Sequence, residues 1–383
     1  MYANQQTPTP DNDLLAAAEV FFPGARDVSA IAGFPHQVVL ASDGKSWAVR
    51  RWAAAQTITA VEWIADAMEA AREAGVAQIP THATIPERGS QRALLHAGRV
   101  YDAISWPTGR PLNRYGTFSL VVDDTINLPL PDSMAAPDIL DQAIHALATF
   151  HLATRQVAER ADAPVFTLQT MLTAVETNYE LQRKTVGRHA GNNQEIRRWL
   201  RCGNRILPAA AERLADASAL ATAHTSAVHT DLWPSRLLID DVDGAPTLTG
   251  ITGWTQAAAG VPVLDLARLA ARCARWSAAT AETVVGAYTD IAPLTPEQRR
   301  MLPVIAALDL TSITGSMLQA AYDDDRIAND PAQSFIRSGI HTSLRSLETL
   351  ANVLAPEDHK PRARTFHARP KPAPETRPRR RRD

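Results

Sequence analysis

His229, Asp231 and Arg236 lie in one short stretch of this 383-residue sequence and are the side chains best placed for chemistry. A carboxylate on a loop can orient or deprotonate a hydroxyl group. An imidazole two residues before it can hold the loop by a hydrogen bond, and a guanidinium five residues after it can neutralise an anion. The flanking sequence supplies a frame. Ala227-Val228 leads in, Leu237-Leu238-Ile239 leads out, and Asp240-Asp241-Val242-Asp243-Gly244 reads as a turn before Pro246 to Trp254. A loop with two short hairpin-linked strands, set among helices, puts polar groups on rigid supports where function often resides.

The elements around this island divide into two kinds. Asp27 to Ile31, Gln37 to Ala41, Ser46 to Trp52, Val76 to Pro80 and Val100 to Ser105 read as strands, with Asp43-Gly44 as a tight turn. Between them Val61, Ile64, Met68 and Ala71 recur at helical spacing, with Thr59 and Glu62 as a capping box and Gly75 as the stop. From Pro137 onward the pattern is helical. Helices are predicted over 137–153, 166–184, 193–216, 262–275, 278–290, from Thr295, and over 335–353.

Composition limits the function classes. The chain is 45% hydrophobic with a formal charge of −2, so it is not a uniformly basic nucleic-acid binder. It has no run of eighteen apolar residues and no leader-like start, which predicts a soluble cytoplasmic protein without a membrane partner. Cys202 and Cys273, far apart, read as core residues. Residues 357–383 differ from the rest. They carry ten Lys or Arg against four acids, with five prolines and Phe366 as the sole large apolar residue. Such a segment buries too little to offset its ordering entropy and is predicted to be a disordered basic tail. Its charge makes weak contact with nucleic acid or an acidic surface an expectation.

His229-Thr230-Asp231-Leu232-Trp233-Pro234-Ser235-Arg236-Leu237-Leu238, followed by Gly250-Ile251-Thr252-Gly253-Trp254, resembles the central motifs of the aminoglycoside phosphotransferase and choline kinase family. Leu264-Asp265-Leu266-Ala267, Trp47 to Arg51, and Tyr101 to Leu112 resemble a later motif, the third strand and the interlobe hinge of that family. The resemblance covers roughly residues 25 to 325. It implies an α+β, two-lobed protein-kinase-like fold, with a small five-stranded lobe over 20–105 and a mostly helical lobe over 106–355.

The resemblance also implies roles. Asp231 takes the catalytic position, while His229 and Asp265 take structural ones. Arg50 is expected at the nucleotide phosphates, with Glu62 or Asp66, one helical turn apart, as its acidic partner. Gly33, in a loop with a single glycine, Ile104 and Trp106 take the other nucleotide-side positions. The family's two metal ligands, an Asn and an Asp, are replaced by Arg236 and Gly253. Arginine offers no acceptor to a cation and glycine no side chain. The expectation is therefore a family member with lost or strongly reduced phosphotransfer and a ligand- or partner-binding role. The alternative is an active small-molecule kinase using ATP and Mg²⁺, with metal held by Asp240 or Asp241. The sequence does not identify the acceptor.

Overall fold

The computed structural model describes residues 11–31, 34–112, 137–191, 193–322 and 332–356. Gly33 and the basic segment from residue 357 lie outside them. Helix α1 (Asn12–Phe21) is capped by Asp11, whose carboxylate accepts from the Asp13 N–H, and it begins ahead of residue 20, where the sequence places the start of the first lobe. Its Leu14, Ala17, Ala18 and Phe21 cover one face of a sheet, against Val38, Leu40, Val49 and Tyr101.

That sheet is formed by β1 (Ser29–Ile31), β2 (Phe34–Ser42), β3 (Lys45–Arg51), β4 (Ala93–His96) and β5 (Arg99–Ser105), in the antiparallel order β1-β2-β3-β5-β4. Five strands were expected, but one expectation is corrected. Val76 to Pro80 is not a strand; it turns away after α2 (Ile58–Glu73), and the Gln78 carbonyl accepts from Ile251 N–H at 2.8 Å. The fifth strand is β4, joined to β5 through Ala97-Gly98, both with positive φ. The cap of α2 also moves. Thr57, rather than Thr59, accepts from Ala60 N–H, which leaves Glu62 free to bond elsewhere.

Beyond the hinge, β6 (Arg110–Pro111) precedes α3 (Pro137–Ala153), α4 (Arg155–Ala158), α5 (Leu168–Thr185), α6 (Gln194–Asp216) and α7 (Ser218–Ala221). The non-helical island follows as β7 (Ser226–Val228), β8 (Leu237–Val242), β9 (Ala245–Ile251) and β10 (Ala258–Gly260). Strand β8 pairs with β6 and β9, and β7 pairs with β10. Helix α8 (Val263–Arg268) widens into a π turn over Leu269–Cys273. Then come α9 (Ala278–Thr289), α10 (Pro296–Tyr322) and α11 (Ala332–Leu354). The reciprocal Thr295–Gln298 bonds of 2.9 and 3.1 Å form the predicted capping box of α10.

These elements form a protein-kinase-like fold: a small β-sheet lobe and a mostly helical lobe. Helix α10 is long and apolar enough to cross a membrane, but 78% of that window is buried among other helices, as in a core helix. The main core crosses the lobe boundary. Trp52, Val61, Trp63, Ile64 and Met68 pack in the same cluster as Ile144, Phe150 and Trp254. The Trp63 indole N–H donates to the Val157 carbonyl at 2.8 Å, which fixes α2 to the helical lobe.

Candidate functional site

The loop between β7 and β8 is held from behind by Asp265, at the start of α8. Its carboxylate accepts from His229 N–H at 2.6 Å and Thr230 N–H at 3.1 Å, and the His151 Nε2 contacts it at 3.2 Å. Burial acts to raise the Asp265 pKa. The hydrogen bond and charge of His151, with the bonds to His229, outweigh it and hold the group below the usual range. The His229 ring is neutral and fully used. Its Nδ1 accepts from Asp231 N–H at 3.2 Å, so Nε2 carries the proton donated to the Thr252 carbonyl at 2.7 Å. Burial lowers its pKa, which keeps this form. His229 is a strut rather than a base.

Thr230 stands where the family motif has glycine, and its φ is +60°. This left-handed conformation is unfavourable for a β-branched residue, by about 1–2 kcal/mol. Two contacts hold it there: the hydroxyl donates to the Gln256 carbonyl at 2.6 Å, and the Arg268 guanidinium donates to the Thr230 carbonyl.

Both carboxylate oxygens of Asp231 are engaged. Oδ1 accepts from the Trp233 indole N–H at 2.6 Å, and Oδ2 accepts from Arg236 at 2.8 Å. Burial acts to raise its pKa, but the Arg236 and Arg272 charges prevail and hold it below the ordinary value. Arg236 lies along Gly253. A Cβ on Gly253 would sit 2.5 Å from Arg236 Nε and 2.6 Å from Cδ, and the φ of Gly253 is +85°. The two departures from the family pattern are thus one packing unit: the arginine occupies the space where a side chain at 253 would begin.

Behind Asp231 is a second layer that the motif reading missed. Arg272 bonds Asp309 of α10 through Nε and Nη2, both at 2.6 Å, and lies 4.0 Å over the Trp233 ring. Its Nη1 is 3.8 Å from Asp231 Oδ1. Arg268 reaches the same Asp309 at 3.1 Å. The signal was present in the sequence: beyond the first two turns of α10, Asp309 is the one acid in an otherwise apolar and neutral stretch, and Arg268 and Arg272 are four residues apart on another helix. A buried carboxylate requires buried cations.

A Mg²⁺ ion does not fit this arrangement. Asp231 and Asp309 meet three guanidiniums (Arg236, Arg268, Arg272), and Asp265 is held by His151 and two N–H groups, so each carboxylate is engaged without a dication. Among the described residues no three His, Cys, Asp or Glu side chains converge as metal ligands. Asp240 and Asp241 are exposed at the far end of β8, beside the hairpin turn. The thiols offer nothing either: burial pushes Cys202 up to about 11 and Cys273 up to about 12.

On the sheet lobe, Arg50 is buried and its partner is neither Glu62 nor Asp66. It bonds Asp102, directly opposite on β5, with Nε–Oδ1 at 2.9 Å and a second bond from Nη2. His82 Nε2 contacts Asp102 Oδ2 at 3.1 Å. Glu62 instead accepts from the backbone N–H groups of Arg92 and Ala93, both at 2.7 Å, and Asp66 pairs with Arg92 and Arg160. The physical reason is register: cross-strand neighbours face one another within reach, and Arg92, just before the unpredicted β4, takes the acids of α2. Ile104 is buried on β5, and Trp106 is exposed at the hinge. The backbone N–H groups of Ser105 and Trp106 already donate to Thr81 and Ser46 at 2.8 Å, and residue 107 is proline. Three successive hinge positions have no free donor for a nucleotide base.

Fold and site together define a protein of kinase-like fold whose loop between β7 and β8 is organised by arginines. The sequence profile described as "Phosphotransferase enzyme family" matches residues 27–302, over half of the chain, and the chain belongs to that family. Among curated proteins none matches the sequence. Solved structures share the fold, three of them as follows. An aminoglycoside phosphotransferase from Alicyclobacillus acidocaldarius is 16% identical with a TM-score of 0.60, covering 92% of this chain and 97% of its own. A microcompartment-associated aminopropanol kinase is 14% identical at 0.55, covering 89% and 99%. An AMP-bound spectinomycin phosphotransferase is 11% identical at 0.55, covering 90% and 98%.

Proposed function

We propose that this phosphotransferase-family protein has lost Mg²⁺·ATP-dependent phosphoryl transfer and uses the two-lobed frame to bind a ligand or partner. The observation that carries the reading is the Asp231–Arg236 ion pair seated on Gly253. Phosphoryl transfer depends on metal ions that neutralise the phosphates and on a carboxylate free to meet the acceptor hydroxyl. Here one family ligand position is a guanidinium, the other is the glycine beneath it, and both Asp231 oxygens are occupied. The lowered pKa also makes Asp231 a weaker base. The engaged hinge N–H groups and the inward-turned Arg50 support the same reading on the nucleotide side.

Calorimetry with ATP, with and without Mg²⁺, tests it. The expected result is no Mg²⁺-dependent binding, together with no phosphate transfer to small alcohols or amines. Tight Mg²⁺-dependent binding, or turnover, overturns the reading.

A further inference from the structure

Arg236 uses its guanidinium incompletely. Nη2 donates to Asp231 at 2.8 Å, but Nε is buried and has no hydrogen-bond partner among the described residues. It faces Gly253 instead, close to where a Cβ would stand. A buried donor without an acceptor destabilises the arrangement that contains it. The hydroxyl of the adjacent Ser235 is in the same condition. Nε and Nη2 form the edge of the guanidinium that grips an oxyanion with two parallel bonds. Arg50 fills that edge on Asp102, and Arg198 fills it on Glu348. On Arg236 it is half filled.

The rest of the loop is held without this side chain. Asp231 keeps the Trp233 indole N–H at 2.6 Å, and Arg272, itself fixed by Asp309, stands 3.8 Å from the same oxygen. The Arg236 carbonyl accepts from Thr252 N–H at 2.8 Å, so the backbone stays in place if the side chain leaves its seat. The ion pair is also partly open to solvent on both sides, which gives a ligand access to it.

We infer that Arg236 is a movable arm that captures the phosphoryl group of a small phosphate monoester directly, without metal, by leaving Gly253 and presenting Nε and Nη2 to two of its oxygens. The inference rests on the reading above, in which this arginine replaces a metal ligand. A competing carboxylate would offer no more charge than Asp231 already does, whereas a phosphate monoester carries about two negative charges at neutral pH. The exchange also gives Nε the acceptor it lacks, while Arg272 and Trp233 remain beside Asp231. The carrier of the phosphate is not a nucleotide, because the N–H groups of Ser105 and Trp106 are taken and residue 107 is proline.

Calorimetry with glycerol 3-phosphate, on the full chain in EDTA, tests it. The parent should bind. Arg236→Gln should abolish binding, and Arg236→Lys, a point charge without a fork, should weaken it by about tenfold or more. Gly253→Ala, whose Cβ displaces the arginine from its seat, should tighten binding by raising the fraction of protein with the arm released. Arg201→Gln, on the exposed face of α6, should bind as the parent does. Circular dichroism verifies that each variant is folded. Undiminished binding by folded Arg236→Gln, or an equal loss in Arg201→Gln, would mean adventitious attachment to surface arginines and overturns the inference. AMP binding tighter than glycerol 3-phosphate by about tenfold or more would mean that a base is recognised, and overturns it too. Binding that appears only when Mg²⁺ is added overturns both this inference and the reading it rests on. No binding with or without Mg²⁺ overturns the inference alone.

Discussion

The molecule holds two arginine–carboxylate pairs at positions where the family pattern places nucleotide and metal contacts, and they are built differently. Arg50 and Asp102 face each other across adjacent strands, fully buried, with His82 as a third member. Asp231 and Arg236 sit five residues apart on one loop, half-buried, with side-chain exposures of 18% and 23%. The first pair is part of the sheet. The second is a plug over a glycine, backed by a separate buried Arg–Asp–Arg cluster. A cation drawn into the sheet cannot be released without damaging the fold, whereas a cation lying on a loop can.

The largest expected effect tests that difference. Asp102→Ala leaves Arg50 buried without its carboxylate and should destabilise the protein by about 3–5 kcal/mol in denaturant melts. Arg236→Ala, which opens Asp231 to water, should cost about 1 kcal/mol or less. Equal losses would erase the distinction. The Asp102 pair also sets an acid limit. Its folded pKa is depressed: burial works to raise it, but the Arg50 charge and the His82 and Arg50 hydrogen bonds prevail. Its contribution is therefore complete above the ordinary carboxylate value near pH 4 and lost as the pH falls below it toward the folded value. Asp102→Asn should remove that part of the stability–pH slope.

Next in size is Gly253. Gly253→Ala introduces a Cβ against Arg236 at a left-handed φ and should cost about 1–3 kcal/mol. In the Arg236→Ala background the steric part vanishes and only the backbone strain remains, so a double-mutant cycle should show coupling of about 0.5–2 kcal/mol. Additivity would mean that the arginine and the glycine are not one unit.

Rebuilding the family ligands is the functional counterpart. Arg236→Asn with Gly253→Asp should gain Mg²⁺-dependent nucleotide affinity over Arg236→Asn alone, measured by calorimetry. Aspartate is among the residues that best tolerate positive φ, which makes this exchange feasible. No gain would locate the block to nucleotide binding elsewhere, at Arg50 or the hinge.

The smallest effect belongs to Thr230. Thr230→Gly relieves the left-handed strain but removes the hydroxyl bond to Gln256, so stability should change by about 1 kcal/mol or less in thermal melts. A large loss would mean that the hydroxyl, not Asp265, holds the loop.

Much of this architecture was legible in the sequence, and the limits have physical causes. Helical periodicity over 137–153 and 193–216, the Thr295 box and the Asp43-Gly44 turn are local signals, and the elements follow them. The loop motif placed His229, Asp231, Arg236, Gly253 and Asp265 together because its spacing is short or family-bound. The partner of Arg50 was not readable. It depends on the register of two strands fifty-two residues apart, and the acids of α2, although suitably spaced, are captured by Arg92. Strand β4 was missed because four residues, Ala93 to His96, give too little alternation to count. The second layer was written only as chemistry out of place, in an aspartate within an apolar helix, and its answer lay on a different helix.

The hydrophobic cluster that passes through both lobes has a mechanical consequence. Trp63 packs within that cluster, its indole is tied to Val157, and the Gln78 carbonyl is tied to Ile251. A hinge motion that opened the space between the lobes would have to pull a tryptophan out of packed side chains and break two backbone anchors at once. The lobes should therefore melt as one cooperative unit in thermal unfolding, and access between them should depend on local side-chain and loop movement rather than on a hinge. Any guest of the kind proposed above would then be selected by shape before contact, as by a fixed mould rather than a jaw.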